Sequence, residues 1–238
     1  MTERSRQDAV ADEITVVIPV FNEVDAIGSC LAQFQESPGV EVLVVDGGSV
    51  DDTAETVHCS VSGELIQSDR LGRSHQMNIG ATKAKGNVLL FLHADCFLPQ
   101  TWIADLNAAL SDPTTLGGRF RHGILEDTIS FRLIAFFSTL RSRFLGITYG
   151  DQAIFVRKSV FEEIGGFPPR LIFEDSEFCD AVSRKGTFVM TDSTVVSSSR
   201  RWRAWGVWRT VVRMWILRIL YKLSVSDDRL IRMYRNVR

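Results

Sequence analysis

ITVVIPVFNE, residues 14–23, decides the fold: an unbroken apolar, largely β-branched run that stops at Asn22, a residue of turns and caps. A strand that is apolar at every position is covered on both faces, as in parallel sheets flanked by helices. Residues 24–36 place Val24, Ile27, Leu31 and Phe34 at helical spacing. EVLVVD (41–46) is a second buried strand, GGSVDD a loop, and 51–60 a helix capped by Ser49 or Asp51. GELIQS (63–68) is a third strand, 73–85 a helix closed by Gly86, and NVLLFL (87–92) a fourth strand that runs into HADC. Strands alternating with helices predict an α/β fold, a Rossmann-like, mostly parallel sheet flanked by helices.

The second half is less regular. Residues 99–110, 127–145 and 174–186 have helical patterns, while 114–122, 151–158, FVMTD and STVVSSS read as strands. GGFPP (165–169) is a breaker run.

Composition agrees with a globular enzyme-sized domain. The chain has 238 residues, 45% hydrophobic and 24% charged, which excludes a disordered chain, a collagen-like repeat and a disulfide scaffold. Its four cysteines (Cys30, Cys59, Cys96, Cys179) form no CxxC pair, which excludes a zinc ribbon and suits a reducing cytoplasm. MTERSRQDAVADE at the start has no apolar core of a signal peptide, and no charge-free run of 18 apolar residues exists. A cytoplasmic protein without a spanning helix is expected.

The net charge of −2 hides an asymmetry. Residues 200–238 carry eleven Lys/Arg against Asp227 and Asp228, a net of +9, so residues 1–199 carry −11. The expected division is a catalytic domain over 1–199 and a basic helical segment over 200–238. Residues 205–223 set Trp205, Trp208, Val212, Trp215, Ile216, Ile219 and Leu223 on one helical face, with arginines to either side. One reading packs that helix on the domain with its arginines in water. The other makes it a peripheral contact with the inner face of the cell membrane, apolar side in the headgroups and bases against anionic lipid. Nucleic acid is not expected, because the body is acidic and no helix-turn-helix, zinc finger or RNA-recognition signature occurs.

In an open α/β sheet, ligands bind beyond the carboxyl ends of the strands. Asn22 and Glu23 end the first strand, Asp46 the second with Asp51 and Asp52 just beyond, and His93 and Asp95 the fourth. One such acid is an ordinary turn former; three acidic strand ends point to a site. No GxGxxG and no GxxxxGK[ST] is present, so a phosphate ligand needs another neutralising device. A divalent cation held by a carboxylate and the phosphates supplies one, and Asp95 is placed for it.

ITVVIPVFNE (14–23), VLVVDGGSVDDT (42–53), GRSHQMNIGATKAKGNVLLFLHAD (72–95), GGF (165–167) and EDSEF (174–178), in that order, resemble glycosyltransferase family 2, the GT-A nucleotide-sugar transferases. HAD, GDQAIFVRK and RRWRAWG look closer to a bacterial subgroup of small transferases associated with radical-SAM and selenoprotein-type partners. The resemblance implies an inverting, hexosyltransferase-like enzyme that moves a sugar from a nucleotide-diphosphate sugar, UDP-linked in most of the family, to an acceptor hydroxyl. It implies that Asp46 binds the base, that Pro19, Phe21 and Glu23 line the base and ribose pocket, and that Asp51 shapes the same loop. Arg73, Gln76 and Asn78 would lie near the diphosphate and sugar. Asp95 matches the last Asp of the family's DxD motif and would bind Mg2+ or Mn2+. Asp175 matches the general base of the family's ED motif, with Glu174 beside it. Arg200, Arg201 and Trp202 loosely resemble an arginine-rich segment that closes over the diphosphate.

This chain departs from the DxD pattern at His93, which stands in place of the first Asp. His93 either packs against the loop or contacts the diphosphate or metal. His58, His75 and His122 read as surface or loop residues. The acceptor could be a lipid, a terpenoid or a saccharide. The alternatives are a nucleotidyltransferase, which would carry a basic Gly-rich loop where FNEVDAIG stands, and a catalytically inactive nucleotide-sugar or membrane-binding module.

Overall fold

The computed structural model describes residues 14–235. The opening segment read above for a leader, and Arg238 of the basic tail, lie outside the described residues.

The chain begins as expected. Strand β1 (Ile14–Val20) is buried at all seven positions. It is followed by α1 (Val24–Ala32), β2 (Glu41–Asp46), α2 (Thr53–His58), β3 (Glu64–Gln67), α3 (Arg73–Lys83) and β4 (Val88–Phe91). The strands β1 to β4 stand in the order β3-β2-β1-β4, all parallel. Val16, Ile18 and Val20 enter one apolar core with Ile27, Leu31 and Val44, whereas Val17 enters another with Val45, Met77 and Leu89. Alternate residues of β1 thus feed two cores, which is why the whole run is apolar. Helix α3 lies close on β1 and β2 because position 80 has no side chain. A Cβ there would sit 3.1 Å from Val45 Cγ2 and in hard contact with Val17.

The second half adds β5 (Cys96–Phe97), α4 (Trp102–Leu110), β6 (Thr115–Ile124), α5 (Ile129–Leu145), a 3-10 turn at Gly150–Gln152, β7 (Ile154–Arg157) and α6 (Lys158–Ile164). Then come α7 (Glu174–Lys185), β8 (Thr187–Ser197), α8 (Arg200–Trp205), α9 (Val207–Lys222) and α10 (Asp227–Arg235). The eight-stranded sheet continues β4-β7-β6-β8-β5. It is mixed: β7 runs antiparallel to β4 and β6, and β5 antiparallel to β8, while β6 and β8 are parallel. FVMTD and STVVSSS, read as two strand-like pieces, are one strand through Ser197, its register against β6 shifted between Arg119 and Arg121.

The apolar stripe of α9 faces outward, with Trp208 63%, Trp215 51% and Ile219 55% exposed. Thr210, Leu217 and Arg218 are the residues it buries. Leu217 and Leu230 of α10 pack on Ile172 and Phe173. Helix α5 likewise exposes Ile129, Phe136, Phe137 and Phe144. Among the described residues, no helix is long and apolar enough to cross a membrane.

Candidate active site

Strand order reverses between β1 and β4, the switch point at which open α/β sheets form a ligand crevice. The loops leaving β1 and β2 are joined there. Asn22, left-handed at φ 53°, donates its N–H to Ser49 Oγ (2.9 Å), and its Oδ1 accepts from Val50 N (2.9 Å). Asn tolerates this backbone region better than most residues. Glu23 N donates to Thr53 Oγ1 (2.8 Å), and Asp51 accepts from Val24 N and Thr53 N. Asp51 therefore shapes the loop and caps the first turn of α2, while Ser49 turns to Asp46. Asp46 is almost fully buried, and its carboxylate accepts from Ser49 N (3.1 Å) and Ser49 Oγ (2.5 Å). Pro19 is buried within β1, and Phe21 and Glu23 are half-buried just beyond it.

Two residues expected at the diphosphate have other employment. The buried Gln76 amide donates to the carbonyls of Val20 and Val45 (2.8 Å each), bridging the ends of β1 and β2. Asn78 closes a two-way pair with the Phe167 backbone, donating at 2.9 Å and accepting at 2.8 Å. It thereby anchors the GGF turn to α3.

On the other side of the crevice, Glu174 and Asp175 open α7. Both are buried, which a helix N-terminus favours for acids. Phe173, at φ 63°, turns the chain sharply into that helix. Arg73 donates from Nε to Glu174 Oε1 (2.7 Å), so this arginine meets the carboxylate pair. Asp175 Oδ2 accepts from Gly150 N (2.9 Å), whereas Asp175 Oδ1 is buried without a hydrogen-bond partner. Burial, followed by the neighbouring Glu174 charge, pushes the Asp175 carboxyl up to about 7, against the opposing pull of Arg73 and the Gly150 N–H.

Gly150 is the hinge point of the site. A Cβ there would lie 2.8 Å from Asp175 Oδ2 and in hard contact with His93 Nε2. The turn after β4 and the start of α7, far apart in sequence, thus converge on one side-chain-free position. Asp95, half-buried, lies two residues beyond His93. The ligand atoms of His93, Asp95 and Cys96 lie within 4.8 Å of one another. Cys96 is fully buried, and a thiol is a soft donor. The Asp95 carboxylate is the hard donor, and one carboxylate plus substrate phosphates is a sufficient set for Mg2+ or Mn2+. The residues present fit a divalent cation at Asp95.

The sequence reading missed His122 and Arg218, while it did single out Arg200 and Trp202. His122 is buried rather than on the surface, 3.0 Å from Ser197 Oγ and 3.4 Å from Asp151 Oδ2. His75 is half-buried and pairs with Asp69, and His58 is exposed, as expected. Arg200 reaches across the crevice to Glu23 Oε2 (2.6 Å), and Trp202 lines the cleft beyond it. Arg218, expected in water, is buried. No sequence signal marks Arg218 as inward, because its helical face is set only by which side of α9 docks.

Arg73, His93, Asp95 and Asp175 form one end of a cleft of about 690 Å³. Its walls then run between α5 and α8–α9, past Phe137, Tyr149, Trp205 and Trp208. A carboxylate with one unpartnered oxygen, a second acid held by an arginine and a carboxylate fit to hold a cation lie together under apolar walls. That arrangement suits transfer of a group from a phosphorylated donor to a nucleophile.

Known proteins agree. The model of the Glycosyl transferase family 2 matches residues 15–165. The glycosyltransferase AglE of Haloferax volcanii is 30% identical over 179 residues, which cover 67% of this chain and 57% of that protein's length. TarS of S. aureus superposes with a TM-score of 0.59 at 17% identity over 93% of this chain and 69% of that one. Glucosyl-3-phosphoglycerate synthase of Mycobacterium tuberculosis gives 0.57 at 16%, over 81% and 75%. At such identities the solved structures establish the fold, GT-A. With the family model spanning β1 through α6, and the chain spanning 57% of AglE's length, the chain belongs to glycosyltransferase family 2.

Proposed function

We propose that the protein transfers a sugar from a nucleotide-diphosphate sugar, UDP-linked, to an acceptor hydroxyl with inversion at the anomeric carbon, assisted by Mg2+ or Mn2+. The observation that carries this is the convergence of Asp175 and the His93–Asp95 turn on Gly150. TarS has been solved with UDP-GlcNAc, and glucosyl-3-phosphoglycerate synthase with Mn2+ and UDP. The first lends the donor class, and the second the nucleotide and the cation, to this reading.

In this reading the uracil lies in the crevice between β1 and β2, lined by Pro19 and Phe21. Asp46 accepts from the base, exchanging its Ser49 Oγ bond for it. Glu23 and the Asp51-braced loop shape the ribose side. Arg73 and His93 lie on the diphosphate and sugar side of the crevice. Asp95 would hold the cation, which when bound would supply positive charge against the charge that grows on the leaving diphosphate. Asp175 Oδ1, the oxygen without a partner, takes the acceptor proton as the hydroxyl attacks. The new O–C1 bond forms on the face opposite the diphosphate. The C1–O bond breaks and its electron pair departs with the diphosphate. Glu174, fixed by Arg73, holds its neighbour's charge environment constant. The exposed apolar stripe of α9 and its flanking bases support a peripheral position on the inner membrane face.

A thermal-shift panel of UDP, GDP, CDP and dTDP, each with and without Mn2+, tests the donor reading on wild type and Asp95→Ala. Ligand at 100 times its dissociation constant adds about 2.7 kcal/mol, roughly 5–10 °C for a chain of this size. A UDP shift that needs Mn2+ and is lost in Asp95→Ala is expected. No shift with any nucleotide would overturn the reading.

A further inference from the structure

Two arginines in the cleft have hydrogen-bonding capacity that the protein does not use. Arg218 on α9 is only 8% exposed, and its Nε and Nη1 are buried without an acceptor. Among the described residues no carboxylate pairs with it within 4.0 Å, although Arg73, Arg170, Arg200 and Arg203 all have acidic partners. Arg141 on α5 has a buried Nε in the same state and spends one Nη2 bond on Ser138 Oγ (3.2 Å). A buried guanidinium without a counter-charge is strongly disfavoured, and an orphaned buried donor calls for a physical reason.

Both guanidiniums rest on one aromatic ladder. Arg141 lies 4.1 Å over the Tyr149 ring, and Arg218 5.1 Å from Phe173 and 5.5 Å from Tyr221. Tyr149 stacks on Phe173 at 5.9 Å, and Phe173 meets Tyr221 at 5.1 Å. Ring faces attract cations but accept none of their N–H bonds along the guanidinium plane. The ladder is tied to the proton acceptor: Tyr149 precedes Gly150, whose N–H binds Asp175, and Phe173 directly precedes α7. Away from the ladder the cleft is walled by Ile134, Phe137, Trp205, Trp208 and Met214.

We propose that this cleft binds a lipid phosphate, with the phosphate held by Arg141 and Arg218 and the hydrocarbon chain lying between α5 and α9. Two guanidinium forks suit the several charged and accepting oxygens of a phosphate better than a single carboxylate. A chain of methylenes suits the walls, and the exposed apolar faces of α5 and α9 continue that surface outside the cleft. The inference rests on the transferase reading and names the molecule that brings the acceptor hydroxyl. The phosphate is bound, not transferred. The attacking hydroxyl belongs to the head group beyond it, toward Asp175.

The test uses the full chain and three probes: decyl phosphate below its micelle concentration, decanol and inorganic phosphate. Binding is read from the fluorescence of the cleft tryptophans in wild type, Arg218→Gln, Arg141→Gln and the exposed control Arg209→Gln. Decyl phosphate should bind at least tenfold more tightly than either other probe. Each cleft substitution should weaken it roughly tenfold to hundredfold and leave decanol unchanged, and Arg209→Gln should change nothing. Equal binding of decanol and decyl phosphate, or of inorganic and decyl phosphate, would overturn the proposal. So would unaltered decyl phosphate binding in both cleft variants. The UDP shift on the same wild-type sample separates the two readings. A shift without preference for decyl phosphate sinks only the lipid phosphate, and that preference without any nucleotide shift sinks only the transferase.

Discussion

Replacing Asp175 by Asn should make the protein more stable and less active, and the size of the first effect should depend on pH. The carboxyl is carried from its ordinary 3.8 to about 7 by burial and by Glu174. Below about pH 4 it is protonated whether the chain is folded or not, and its contribution to stability is complete. As pH rises toward 7 the unfolded chain ionises freely while the folded chain keeps its proton, so that stability is lost. The full displacement corresponds to about 4 kcal/mol, of which about 2–3 kcal/mol falls between pH 5 and pH 8. Asn has nearly the same shape, stays neutral and can still accept from Gly150 N through its Oδ1. Urea denaturation of both proteins at pH 5 and pH 8 measures the difference, and titrating groups remote from Asp175 cancel in it. The Asn variant should gain about 2–3 kcal/mol on wild type over that interval. In parallel, kcat/KM of wild type should rise along an acid limb near pH 7, and the variant should lose roughly 10²–10⁴ in rate. A stability difference that does not change with pH would refute the assignment of Asp175 as a buried acid poised for proton transfer.

Gly150→Ala should lower sugar transfer by at least tenfold and stability by about 1–3 kcal/mol, because its methyl enters the space of Asp175 and His93; retained activity at a wild-type melting temperature would contradict the convergence described here. Asn78→Ala should destabilise by about 1–3 kcal/mol through the two lost Phe167 contacts, with the KM for donor unchanged, and steady-state kinetics on the folded fraction would show otherwise if the amide touched substrate. Gly80→Ala should destabilise by about 1–3 kcal/mol by pressing α3 off β1, which thermal denaturation would register.

The parallel half was readable because each of its strands carries its own signal. Val16, Val44 and Leu90 belong to runs apolar on both faces, and such runs have few other fates. The carboxylates at their ends were legible as candidates for the same reason, since a buried apolar strand must stop somewhere and a polar residue marks the place. Where polar residues are buried, the signal inverts. His122 read as a surface or loop residue, yet it and Arg119 are buried in β6, Arg119 satisfied by Ser142 (Nη2 to Ser142 O, 2.7 Å) and His122 by Ser197, partners 23 and 75 residues away. Gln76 and Asn78 matched a family motif, but their amides are spent on backbone that only the folded sheet brings near. In α9 the periodicity located the apolar stripe correctly and left its direction open. An amphipathic helix docks by whichever side finds a partner, and here Leu217 and Arg218 did.

The antiparallel insertion of β7 beside β4 reverses the chain there, so the amino end of β7 lands beside the carboxyl end of β4, where Phe91 faces Ile154. Since β6 also opposes β7 and β8 runs with β6, the last strand finishes on that same rim, at Ser197. Whatever follows Ser197 must therefore begin at the reaction centre. The C-terminal helices form the roof of the cleft for this topological reason. On the proposed function, such a chain divides its tasks by topology: the parallel strands set the floor on the donor side, and whatever follows Ser197 sets the roof on the acceptor side.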